Sequence, residues 1–76
     1  MLRYTVVLEP TREPEHPGWY YAHVPALDLT THGEGVEGAL EAAQDLIAGW
    51  IAELREAGKP VPVEDGAFVT HVEVAA

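Results

Sequence analysis

The stretch GWYYAHVPALDL, residues 18–29, decides how this chain folds. Tyr20, Ala22 and Val24 alternate with Trp19, Tyr21 and His23, and a period of two marks a strand whose successive side chains point to opposite faces. Pro25 has no amide hydrogen and drives Val24 to extended geometry, so the strand ends or bulges there. Leu27, Leu29 and Thr31 then alternate with Asp28, Thr30 and His32, which predicts a third, shorter strand. The aromatic run therefore has two sides, one inward and one left at the surface.

Toward the N-terminus, LRYTVVLE (residues 2–9) sets Leu2, Tyr4, Val6 and Leu8 against Arg3, Thr5, Val7 and Glu9, the pattern of a half-buried strand antiparallel to the next. PTREPEHP, with Pro10, Pro14 and Pro17 among charges, is a stiff connecting loop. Toward the C-terminus the period changes at Gly35. Val36, Ala39, Leu40, Ala43, Ile47, Trp50, Ile51 and Leu54 recur at steps of three and four, one stripe of an amphipathic helix, with Trp50 read as core. Glu37 and Glu41 suit its positive end, Arg55 and Lys59 its finish, and Gly58 followed by Pro60 is a stop signal.

After PVPVEDG, the run AFVTHVEV (residues 67–74) alternates again and predicts a fourth strand. The expected fold is one α+β domain over residues 1–76, ordered β-β-β-α-β. It is a three-stranded antiparallel meander with a long helix on one face, and a right-handed crossover lays the last strand parallel to an earlier one. Nothing in the chain is left to cover the other face.

A domain this small draws only about 3–5 kcal/mol from one core. With no cysteine to form disulfides, self-association is the available staple, as a dimer or tetramer. No signal peptide and no run of about 18 apolar residues occurs, so the expected location is cytoplasmic, with no membrane partner. Thirteen acids against four bases give a net charge of −9. Nucleic-acid binders draw affinity from cations on phosphates, and only Arg3, Arg12, Arg55 and Lys59 are present, so direct binding of nucleic acid is set aside. A basic protein is the matching partner, although the acids also serve plain solubility.

Chemistry is thinly supported. A two-metal nuclease needs carboxylates that converge, and the strand acids Glu9, Asp28 and Glu73 with helix acids Glu34, Glu37, Glu41 and Asp45 form no evident set. His23, His32 and His71 fall on the face opposite the helix, but their spacing matches no ligand motif. GEGVEG (residues 33–38) lacks the lysine of a phosphate loop. No enzyme activity, cofactor or metal is expected.

The ordered set of Gly18, Tyr20, Val24, Pro25, Leu27, Gly33, Glu37, Ala39 and Leu40, closed by EAGKPVP (residues 56–62), resembles the HicB-like antitoxin family, a cut-down RNase H-like fold. The family's Pro-Gly-Cys turn is shortened here to Asp28-Leu29, and its Asp-Thr helix cap becomes Glu34-Gly35. The resemblance implies a toxin–antitoxin function, in which the chain neutralises a small basic HicA-type ribonuclease toxin by covering its surface. Because the sequence stops after the expected fourth strand, no separate DNA-binding domain is expected. Trp19, Tyr21, His23, Asp28 and His71 are the predicted contact residues on the bare face. The alternatives are a self-assembling domain that senses a small ligand or metal through its histidines, and a residual metal-dependent nuclease using Asp28 or Glu9.

Overall fold

A computed structural model of the chain describes residues 1–66 and 68–76. The architecture is α+β: three antiparallel strands in the order β1-β2-β3, with one long helix on one face. The elements are β1 (Val7–Pro10), β2 (Trp19–Val24), a 3-10 turn (Pro25–Leu27), β3 (Leu29–Glu34) and α1 (Gly35–Glu56).

β1 is shorter than its alternation predicts, and the register gives the reason. Val7 pairs with His23 and Leu8 with Ala22, which would set Thr5 opposite Pro25. Proline offers no N–H and begins the 3-10 turn, so the ladder cannot extend to residues 2–5. Asp28 closes that turn in the left-handed region (φ 52°), its N–H donating to the Pro25 carbonyl (3.2 Å). Aspartate tolerates this conformation better than most side chains.

The alternation fixes the faces as predicted. Ala22 and Val24 are buried under the helix, while Trp19, Tyr21 and His23 lie on the other side. Gly33 of β3 is buried too, and there the helix comes very close. A Cβ on Gly33 would lie 2.6 Å from the Ala39 nitrogen and would also collide with the Gly38 carbonyl. Ala22, Ala39 and Ala43 form the adjoining cluster, flanked by Val6, Leu8 and Tyr20. Small residues thus bring the helix backbone down onto the sheet.

The helix ends as its sequence implies. Gly58 takes φ +69° and donates to the Arg55 carbonyl, while Lys59 donates to that of Leu54, the paired bonds of a Schellman motif. The stripe is less buried than its pattern implies. Ala39 and Ala43 are covered, but Val36 and Leu40 are about two-fifths exposed and Trp50, expected in the core, is 38% exposed. A 22-residue helix is about 33 Å long. A six-residue strand spans only about 20 Å, so the last turns overhang the sheet. Gly49 sits on this overhang, where an added Cβ meets open space. Gly49→Ala is expected to raise stability by about 1 kcal/mol in urea unfolding.

The expected fourth strand is not formed among the described residues, and Ala67, its first residue, lies outside them. The chain does return past the start of the sheet. Tyr4 donates its hydroxyl to the Pro62 carbonyl (2.6 Å), and Thr5 donates its N–H and hydroxyl to the two Glu64 carboxylate oxygens (both 2.7 Å). Gly66 then adopts φ +77°, and residues 68–76 are exposed without strand pairing. A strand needs a partner ladder, and this segment has none in its own sheet.

The Thr5 backbone and then its hydroxyl hold the Glu64 carboxyl below its ordinary range, with a smaller contribution from Arg3. A depressed folded-state value means this contact stabilises above the unfolded-state pKa of ~4.3 and is lost as pH falls through the lower folded value. The Thr5 amide resonance is accordingly expected to shift in acid below that range. With Glu64→Gln the same resonance should show no such titration.

Candidate interaction surface

The face without the helix carries a continuous strip of rings. His16 lies 5.2 Å from Trp19, Trp19 5.3 Å from His32, His32 6.3 Å from Tyr21, and Tyr21 6.1 Å from His23, all between centroids. Cross-strand register builds most of it: Tyr21 stands opposite His32, and His23 opposite Thr30. Rings at these separations and tilts are in the favourable range for aromatic pairs.

Carboxylates anchor the strip at its edges. Tyr21 donates its hydroxyl to Glu13 Oε1 (3.1 Å), and the Glu13 hydrogen bond and charge raise the phenol's pKa above its ordinary value. The phenol therefore stays a protonated donor. His23 reaches Glu9 through Nε2 (3.2 Å) and the Thr30 hydroxyl through Nδ1 (3.0 Å). A carboxylate only accepts, so in the neutral ring Nε2 carries the hydrogen and Nδ1 accepts from Thr30. Glu34, opposite Trp19 in the register, adds a third acid at the far end. Electron-rich ring faces bordered by carboxylates suit guanidinium and ammonium groups, which bind both.

Of the predicted contact residues, Trp19, Tyr21 and His23 are brought together here, and His32 joins them. Asp28 stands apart at the β2–β3 corner, occupied with its turn. His71 lies in the exposed tail rather than in the sheet, because the fourth strand that would have placed it there is not formed. His16 and Glu13 were not predicted. Two successive turns place them: His16 N–H donates to Glu13 O, and Trp19 N–H to His16 O. Glu13 stands three residues before His16 and His16 three before Trp19, and that spacing was the available signal.

The carboxylates considered for metal chemistry do not converge. Glu9 pairs with His23, Asp28 caps a turn and Glu73 lies in the tail. No group of three or more histidine, aspartate or glutamate side chains among the described residues is arranged to hold a metal. No described helix is long and apolar enough to cross a membrane.

Comparison with family models, curated proteins and solved structures finds no match to this chain.

Proposed function

We propose that this chain is a HicB-like, antitoxin-type binding module of the cytoplasm, which neutralises a small basic HicA-type ribonuclease by occluding its surface. The observation that carries the reading is the five-ring strip bordered by Glu9, Glu13 and Glu34 on the sheet face its own helix leaves uncovered. Arginine and lysine side chains of the partner insert over Trp19 and Tyr21 and meet the flanking carboxylates. Each exposed cation–π contact contributes about 0.5–1 kcal/mol, and the −9 charge steers the encounter. The protein acts by stoichiometric contact rather than catalysis, without cofactor, and as a homo-oligomer.

Co-expression with the small basic open reading frame beside its gene is expected to yield a complex that co-purifies and suppresses the partner's ribonuclease activity. Absence of such a neighbour, or a basic neighbour that does not bind, overturns the proposal. Association between an acidic and a basic surface is also salt-sensitive. The measured association rate should fall at least about tenfold from low to high ionic strength.

A further inference from the structure

We infer that Phe68–Val74 is a donor strand, which a second copy of this chain receives beside its β1 in a reciprocal exchange. The donor is the run FVTHVEV, which alternates with Phe68, Thr70, Val72 and Val74 on one side. In the single chain these apolar groups stand in water: Phe68 is 81% exposed, Val72 85% and Val74 81%. An apolar strand of this period, unpaired and uncovered, is an edge-seeking element.

The acceptor lies on the helix side of the sheet, away from the ring strip. β1 ends the sheet, paired only to β2 among the described residues. Beside it, an apolar groove of about 420 Å³ runs between Leu2, Tyr4 and Val6 on one wall and Leu40, Ile47 and Ile51 on the other. The helix packs chiefly on β2 and β3, which leaves this groove under the segment leading into β1, open to alternate side chains of a strand added along that edge. Phe68, Val72 and Val74 supply the matching set.

The chain's own course selects exchange over closure. Pro62 and Glu64 meet Tyr4 and Thr5 in an order parallel to β1, Gly66 takes a left-handed φ of +77°, and residues 68–76 are exposed and outside their own sheet. Exchange also buries what closure alone leaves thin. Among the described residues, only Ala22, Val24, Leu27, Ala39 and Ala43 form the buried apolar core of one copy. Two donor strands filling two grooves, with two phenylalanines contributing ~300–500 Å² by themselves, reach the ~1,200–2,000 Å² of a stable interface.

Sedimentation equilibrium of the full chain, without any partner, tests this directly. The expected mass is twice 8.2 kDa at micromolar concentration. Phe68→Asp/Val72→Asp is expected to weaken the dimer at least about 100-fold while circular dichroism stays unchanged, since neither side chain is buried in its own copy. Leu40→Asp on the groove wall should do the same. A monomeric full chain overturns the inference, whether or not its tail amides are protected by closure on its own β1. So does a dimer that survives the tail variant or the groove variant. Like-charged copies joined by an apolar contact bind more tightly as salt rises, opposite to the salt response of a basic partner, so the two proposals fail separately.

Discussion

Replacing Gly33 with alanine is expected to lower the unfolding free energy by about 3 kcal/mol, the upper part of the range for overpacked sites. The new methyl would lie 2.6 Å from the Ala39 nitrogen and against the Gly38 carbonyl. These are backbone atoms of a helix, so no rotamer change relieves the clash, and α1 must lift from β3. Lifting also opens the Ala22–Ala39–Ala43 cluster next to it. For a domain whose largest fully buried side chain is Val24, that loss is a large part of the whole stability. Gly38→Ala is the control across the same contact. Its Cβ would sit 3.6 Å from Gly33, an ordinary separation, so the helix gains about 0.5–1 kcal/mol from the lost backbone freedom of glycine. Urea midpoints for the two variants should move in opposite directions. Equal shifts would show that the close approach of helix and sheet is wrong.

Trp19→Ala is expected to weaken binding of the basic partner at least about 30-fold, or roughly 2 kcal/mol, by isothermal titration. Trp19 joins His16 to His32, and removing it detaches His16 and takes the largest ring from the strip. Its backbone still serves the fold, since its carbonyl accepts from Thr11 and its N–H donates to His16, and both bonds survive truncation of the side chain. The thermal midpoint should therefore change little. Asp28→Asn, at the corner and off the strip, should leave affinity within about twofold, because exposed positions outside a contact centre contribute little. Equal loss in both variants would point to general charge attraction rather than to the rings.

The reach of the sequence is clearest where the signal is local. Gly58 and Pro60 predict the end of the helix, and Gly58 closes it in the left-handed conformation that only glycine takes without strain. The pairing of Gly33 with Gly38 had no such signal. Glycines five residues apart look like loop residues until the helix folds back over the strand that precedes it. Trp50 shows the opposite failure: its place in the helical stripe is right, but the sheet is too short to reach it.

By itself, the sequence determined which side chains share a face. Tyr20, Ala22 and Val24 go inward and Trp19, Tyr21 and His23 outward because a pleated backbone alternates, whatever lies beside it. It also determined the span and ends of the helix, since periodicity and capping are properties of neighbouring residues. Only tertiary structure decided where β1 starts, which strand lies beside the aromatic run, and that residues 68–76 are unpaired within their own chain. Those outcomes depend on register and on contacts between distant segments, such as Thr5 facing a proline and His32 standing opposite Tyr21. No local pattern encodes them.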